Sequence, residues 1–333
     1  MIHQKPEISI ILPVYNVEKQ LEKCLNSISR QVFSGTFEII ACEAFSTDNS
    51  LAILKSFQIK EPRLRIIEHG FREELSTSRM TGFNASTGDY IMHLDSDDWL
   101  LPGALEKLYQ TCRETDADVV VFDYVTEDIN GKRSSSKHIK EKIITTDKFI
   151  VQNHFYGACW NKIVRRVLNE NMVYSEIGVT NTEDLPYSLE VLLKAEKICL
   201  LPEPFYVYFV NTESSSYTTN WEQYLNNQIF ILNQIQKIVT KYNVELRFTE
   251  NVLDYFEKWV YLQLARIHFW QREKLTNCSK MVRELFLYQI MSKDRIARLE
   301  FSIESKYTCL FELIDRLGLK IGAGIIFRSI VKK

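Results

Sequence analysis

Ile8-Ser9-Ile10-Ile11-Leu12-Pro13-Val14 is the stretch on which the fold turns. It is almost continuously apolar, rich in β-branched residues and free of polar alternation, the pattern of a strand buried on both faces. Residues 18–29 follow, with Leu21, Cys24, Leu25 and Ile28 at helical spacing. The same pair of patterns then recurs. Strands over 37–42, 64–68, 89–94 and 119–125 alternate with helices over 50–58, 75–85 and 102–113. This alternation predicts an α/β fold with a mostly parallel, Rossmann-like sheet flanked by helices. A site in such a sheet lies beyond the carboxyl ends of its strands. Tyr15, Glu43 and Asp95 are therefore expected near one edge.

Residues 126–150 are polar and contain Asn130-Gly131, which reads as a hairpin or loop. Residues 151–219 are mixed, with a helix expected over 184–195 and an aromatic extended run over 202–210. From Trp221 onward strand signals fade. Amphipathic helices are expected over 221–241, 251–273, 278–290, 293–300 and 305–317. Two domains follow: residues 1–219, which carry the sheet, and residues 220–333, mainly α-helical.

The chain has 333 residues, 45% of them hydrophobic and 25% charged, enough to bury a sizeable core without disulfide or metal staples. Its 11 Gly and 7 Pro exclude collagen-like and disordered classes. A net charge of −2 argues against nucleic acid as a partner. Residues 221–333 nevertheless hold 18 Lys and Arg against 12 Asp and Glu, while residues 1–220 hold 23 against 31. The basic back suits an anionic surface or simply solvation. The 7 cysteines are odd in number and include no C-x-x-C, as expected of reduced, mostly buried thiols in a cytosolic protein. Met1–Glu7 is polar and the run after it is short, so no leader peptide is expected. No stretch of uncharged apolar residues is long enough to span a bilayer.

The sharpest local feature is Asp95-Ser96-Asp97-Asp98 at the end of the strand ending in Leu94. Carboxylates crowded there repel one another, and a hard divalent cation such as Mn²⁺ or Mg²⁺ relieves the repulsion. The alternative is an acidic cap on the turn toward Pro102. Asn181-Thr182-Glu183-Asp184-Leu185-Pro186 is open in the same way, as a helix cap or as the seat of a general base. Arg79, in Leu75-Ser76-Thr77-Ser78-Arg79-Met80-Thr81-Gly82, could reach a phosphate or pair with an acid. The histidines show no zinc spacing, and His93 and His268 read as packed residues. No G-x-G-x-x-G occurs, which disfavours a dinucleotide oxidoreductase. The first glycine is Gly35, so the glycine-rich loop of a nucleotidyltransferase is missing after the first strand.

Together these segments resemble the family 2 glycosyltransferases, whose fold is GT-A. Ile8–Asn16 is similar to the family's opening strand, and Ser46-Thr47-Asp48-Asn49-Ser50 to its S-T-D-x-S. Leu75–Gly82 resembles L-S-x-x-R-N-x-G, and Gly88–Asp98 resembles G-x-Y-I-x-x-L-D-x-D-D. Trp160-Asn161-Lys162, Glu183-Asp184 and the aromatic run closing at Ser214-Ser215-Ser216 resemble the later W-x-K, E-D and Y-x-Y…S-x-S elements. The resemblance covers residues 7–219 in the right order.

The resemblance implies an enzyme that moves a hexosyl or N-acetylhexosaminyl group from a nucleotide-sugar, with UDP favoured, to a hydroxyl with inversion. Pro13, Val14 and Tyr15 would line base and ribose, and Arg79 would contact the nucleotide or its diphosphate. Asp95, with Ser96 beside it, would hold the ribose or metal-bound water. Asp97 would ligate Mn²⁺ or Mg²⁺. Asp184 would be the base, and Glu183 would support the acceptor or orient the base. Trp160 is open between sugar stacking and packing, and Lys162 between a phosphate contact and solvation. The acceptor implied is a glycan or a lipid-diphosphate carrier at the cytoplasmic face of the membrane. The basic, apolar segment 317–333 is a candidate for peripheral membrane contact.

Two departures stand out. The family's D-D-G-S is here Glu43-Ala44-Phe45-Ser46, which keeps one carboxylate able to accept from the base's imino N–H, and replaces a glycine by Phe. Base recognition is then altered, or the loop re-routed. Met80 stands where the family has Asn. The competing expectation is a non-catalytic scaffold or partner subunit in glycan synthesis that kept the fold.

Overall fold

The computed structural model describes residues 5–136, 139–146, 157–172, 183–210 and 221–243. The helices expected over 251–273, 278–290, 293–300 and 305–317, the segment 317–333, and Ser214-Ser215-Ser216 lie outside the described residues. The chain divides into two compact units. The first is Met1–Thr219 with Gln234–Tyr242, and the second is Asn220–Asn233 with Asn243–Lys333.

The first unit opens with β1 (Ile8–Val14), α1 (Glu18–Ser29), β2 (Phe37–Glu43), α2 (Ser50–Gln58), β3 (Leu64–Glu68), α3 (Leu75–Ala85) and β4 (Tyr90–His93). β1 is buried along its whole length, as its unbroken apolar run requires. α1 buries Leu21, Cys24, Leu25 and Ile28, the stripe read from the sequence. The strands lie in the order β3-β2-β1-β4, all parallel. The chain moves outward from β1 to β3 and then returns to the other side of β1 as β4. The reversal makes the carboxyl edge of β1 and β4 the switch point at which ligands of such sheets bind.

The second half comprises β5 (Trp99–Leu100), α4 (Ala104–Thr115), β6 (Val119–Asp128), β7 (Arg133–Ser136), β8 (Ile143–Thr145), β9 (Lys162–Arg165), α5 (Asp184–Lys194) and β10 (Ile198–Val210). Here the sheet is mixed. β9 runs antiparallel between β4 and β6, and β10 lies parallel to β6 but antiparallel to β5 and β8. β6 and β7 form the hairpin signalled by Asn130-Gly131, with Gly131 at φ +75°. β10 begins at Ile198 rather than at 202 because Ile198–Leu201 is already a buried apolar run. Its register shifts around Pro204, which has no N–H to donate to the ladder.

The core on one face of the sheet gathers Ile8, Ile10 and Leu12 with Leu21, Leu25, Leu54, Leu105 and Leu108. On the other face α3 lies close to β1. A Cβ at Gly82 would stand 2.5 Å from Ile11 Cγ2, so only glycine permits that approach. At Gly88 a Cβ would stand 2.6 Å from the backbone nitrogen of Ser9. Cys24, Cys42, Cys112, Cys159 and Cys199 are buried free thiols. A last helix, α6 (Trp221–Lys241), ends near α5, where Lys241 Nζ meets Glu190 Oε1 at 3.1 Å. Among the described residues no helix is long and apolar enough to cross a membrane.

Candidate active site

β4 delivers the acidic segment to the switch point, and the turn after it is closed by the Asp98 N–H donating to the Asp95 carbonyl at 3.0 Å. Asp98 then turns inward. Its carboxylate accepts the Tyr206 hydroxyl at 2.6 Å and the Phe209 N–H at 2.7 Å. The same Tyr206 oxygen accepts the Asp95 N–H at 3.2 Å. Asp98 is thus a clasp between the acidic turn and β10, and caps no helix. Burial, Asp97 and Asp95 push it well above the usual carboxylate range. Asp97 is half-buried, and burial followed by the charge of Asp95 pushes it up to about 6.

α3 carries Arg79 on its buried face, and the close approach at Gly82 brings that face against β1. Arg79 is 2% exposed. Its Nη1 donates to Glu183 Oε1 at 2.6 Å and to Asp184 Oδ1 at 2.5 Å, and its Nη2 donates to Asp95 Oδ1 at 2.8 Å. A planar, rigid fork with several donors suits acids that converge from two places, the turn after β4 and the start of α5. Burial works against the arginine's charge, but Asp184, Asp95 and Glu183 hold its pKa well above the ordinary value.

Asp184 opens α5, yet neither it nor Glu183 caps that helix through its side chain. The second Asp184 oxygen accepts the Cys159 N–H at 3.2 Å, and the side chain keeps 22% exposure. Glu183 is buried. Burial and then Asp184 push it up to about 8, against the pull of Arg79. Asp95 keeps 23% exposure and is also raised, by burial first and Asp184 next, with Arg79 opposing.

Behind this cluster lies a second buried layer. Lys162 does not reach solvent, as one of its alternatives had it, nor an open phosphate site. It is buried and donates to the Ala158 carbonyl and to Asn161 Oδ1, and burial holds it down to about 7. Trp160 resolves toward packing. It is 8% exposed, stacked on Tyr206 and Tyr208 with Tyr124 against its edge, and offers no open face to a sugar. His93 is packed edge-on against Tyr187, with neither ring nitrogen hydrogen-bonded. Burial, Arg79 and Lys162 hold it well below its ordinary value.

The structure therefore brings Asp95, Glu183, Asp184 and Arg79 into one cluster, with Asp97 and Ser96 on the adjoining turn. Arg79 faces these acids rather than a surface open to a diphosphate. Pro13 and Val14 are buried in β1, and only Tyr15 reaches the edge, where Arg72 lies 4.9 Å from its ring centre. Glu43 is buried, and its two carboxylate oxygens accept the N–H groups of Phe45 and Ser46. Sequence reasoning missed Tyr206 and the Cys159 N–H. Tyr206 stood in the aromatic Y-x-Y run, but a backbone N–H leaves no mark in a sequence.

The fold is GT-A, with this acidic cluster at the carboxyl edge of its sheet. Residues 9–173 match the family described as Glycosyl transferase family 2, and the chain belongs to that family. It is 28% identical over 218 residues to "Uncharacterized glycosyltransferase EpsJ" of Bacillus subtilis (strain 168), covering 63% of this chain and 62% of that one. The chain thus spans less than two thirds of that relative's length. It is 28% identical over 244 residues to "Poly(ribitol-phosphate) beta-N-acetylglucosaminyltransferase TarP" of Staphylococcus aureus (strain N315), covering 71% of this chain and 72% of that one. Among solved structures, S. aureus TarS 1-349 superposes with a TM-score of 0.69 at 18% identity, covering 94% of this chain and 92% of that one. The same TarS fragment in complex with UDP-GlcNAc gives 0.67 at 17% identity, over the same shares of the two chains. At these identities the likeness is one of fold.

Proposed function

We propose that this protein transfers a sugar from a UDP-sugar to a hydroxyl of a glycan or lipid-diphosphate-linked acceptor, with inversion at the anomeric carbon. The observation that carries this reading is the Arg79 fork, which ties Asp95 on the donor side to Asp184 on the acceptor side. The TarS complex with UDP-GlcNAc supports the uridine donor, and TarP, by its name, supports a surface-polymer acceptor. The fork also disfavours a scaffold, because three acids on a buried arginine give a non-catalytic core nothing that apolar packing would not.

In this scheme Asp184, partly open to solvent and held by Arg79 and the Cys159 N–H, takes the proton of the acceptor hydroxyl. The hydroxyl oxygen attacks the anomeric carbon from the face opposite the diphosphate. The carbon–oxygen bond to the diphosphate breaks, and its electron pair leaves on the phosphate oxygen. No covalent enzyme intermediate forms, so no nucleophilic side chain is required. Arg79 positions the two acids. Glu183, raised to about 8 by burial and then by Asp184, carries a proton at neutral pH.

The donor set fits a hard divalent cation. Asp97 is half-buried and raised by burial first and by its neighbour Asp95 next, and such an ion favours the charged form against both. Among the described residues no three of His, Cys, Asp and Glu are gathered to hold an ion unaided. That agrees with Mn²⁺ or Mg²⁺ held by one or two carboxylates and the donor's phosphates. Asp97 would be the ligand and Asp95 its support. The ion, when bound, supplies positive charge to the departing diphosphate.

The test is a thermal-shift panel of UDP, GDP, CDP and dTDP, with and without Mn²⁺, on the wild type and on Asp97→Ala. A Mn²⁺-dependent shift with UDP, lost in the variant, is expected. Equal shifts with and without the ion would remove the metal, and no shift with any nucleotide would remove the function.

A further inference from the structure

Phe45 has a backbone φ of +65°, a region that bulky side chains avoid and that glycine enters freely. Its ring is 54% exposed. A conformation this unfavourable persists only when its surroundings impose it. Here the cause is visible. Glu43 Oε2 accepts the Phe45 N–H at 3.2 Å, and Glu43 Oε1 accepts the Ser46 N–H at 2.6 Å. The loop is anchored on both sides, by the Ala44 N–H on the Val14 carbonyl at 2.9 Å and by the Asn16 N–H on Ser46 Oγ at 3.1 Å. The chain therefore keeps the glycine's backbone path while carrying a phenyl ring. Phe45 lies just past the carboxyl end of β2, two residues after Glu43, which pairs with Val14, and Tyr15 stands at the corresponding end of β1.

The placement has two consequences. Both oxygens of Glu43 are committed to its own turn, and the side chain is buried, so it is not poised to read a base edge. An exposed aromatic face, by contrast, stands at the edge where the nucleoside of a donor anchored at Asp95 and Asp97 would extend. Aromatic faces bind bases by stacking and tolerate different bases, since every base has a π-face.

We propose that Phe45 binds the donor's nucleobase by stacking, and that Glu43 is a positioning residue that holds Phe45 in its left-handed turn. The inference rests on the nucleotide-sugar function proposed above. It implies a site that discriminates weakly between bases, including between uracil and cytosine, which differ at the N3 edge.

The experiment is calorimetric titration of UDP and of CDP, with Mn²⁺, into the full chain as wild type, Phe45→Gly, Phe45→Trp and Glu43→Gln. The Phe45→Gly variant is expected to bind both nucleotides about tenfold or more weakly, the loss of one stacked base. Its melting temperature should be unchanged or higher, because glycine accepts φ +65° without strain. Weaker binding in a protein no less stable separates loss of stacking from loss of fold. Phe45→Trp should retain wild-type binding, and Glu43→Gln should weaken both nucleotides in parallel. Wild-type affinity in Phe45→Gly overturns the stacking role. A UDP:CDP ratio that changes in Glu43→Gln overturns the positioning role, because it shows the carboxylate reading the N3 edge. In both cases the nucleotide-sugar function stands. A wild type that binds neither nucleotide removes that function and this inference with it.

Discussion

Glu183→Gln tests whether a buried acid beside the base carries a proton. Burial and then Asp184 raise Glu183 from its ordinary 4.5 to about 8, although Arg79 pulls the other way. Between those values the folded chain holds a proton that the unfolded chain has released. The group's contribution to stability is therefore fully present below pH 4.5 and is lost as pH rises toward 8. At about 1.36 kcal/mol per pH unit, the loss is about 5 kcal/mol. For a unit of this size about 1 kcal/mol moves Tm by roughly 2–4 °C, so the effect is on the order of 10 °C. Glutamine has the shape of the protonated acid and does not ionise. Wild type and variant should therefore melt together near pH 5, with the variant higher by about 10 °C at pH 8.5. Lys162, held down to about 7, has the opposite sign above that pH, but it is common to both proteins and drops out of the difference. Scanning calorimetry across this range provides the readout. A constant offset from pH 5 to pH 8.5 would refute the reasoning, since it would mean that Arg79 outweighs burial and Glu183 is ionised throughout.

Three further outcomes are expected. Asp184→Asn should nearly abolish transfer in a sugar-release assay while UDP binding by calorimetry persists; near-normal turnover would remove it as the base. Gly88→Ala should lose about 1–3 kcal/mol in denaturant unfolding, because its Cβ meets the backbone of β1 at Ser9 and Ile8 as well as the Ser9 hydroxyl, and the backbone cannot give way as a side chain can. Deleting residues 317–333 should release the protein from anionic vesicles in a flotation assay, and equal flotation would place any membrane contact elsewhere.

The parallel half of the sheet was legible because its strands are unbroken apolar runs and its helices carry clear stripes, as in β1 and α1. β9 was not, because four residues show no period and its pairing with β4 and β6 is long-range. The acids of the site were legible as residues but not as partners. Arg79 and Asp184 are 105 positions apart, and nothing local says that they meet. Lys162 misled because lysine is exposed by default, and only the fold shows it buried behind the cluster. Glu43-Ala44-Phe45 left altered base recognition and a re-routed loop both open. What no sequence pattern shows is that the Glu43 carboxylate folds back onto its own turn with Phe45 at φ +65°.

The insertion of β9 between β4 and β6 sets an order of assembly. Among the described residues strands β1 to β4 pair only with one another and with β9, so a nascent chain can build this parallel half as soon as it has emerged. Arg79 and Asp95 are then in place, but Glu183 and Asp184 are still about ninety residues from synthesis. At roughly 5–20 residues per second they follow several seconds later. The contact that completes the acidic cluster therefore forms only after the parallel half has assembled. A chain truncated between the two holds Arg79 and Asp95 without the acid proposed to activate an acceptor.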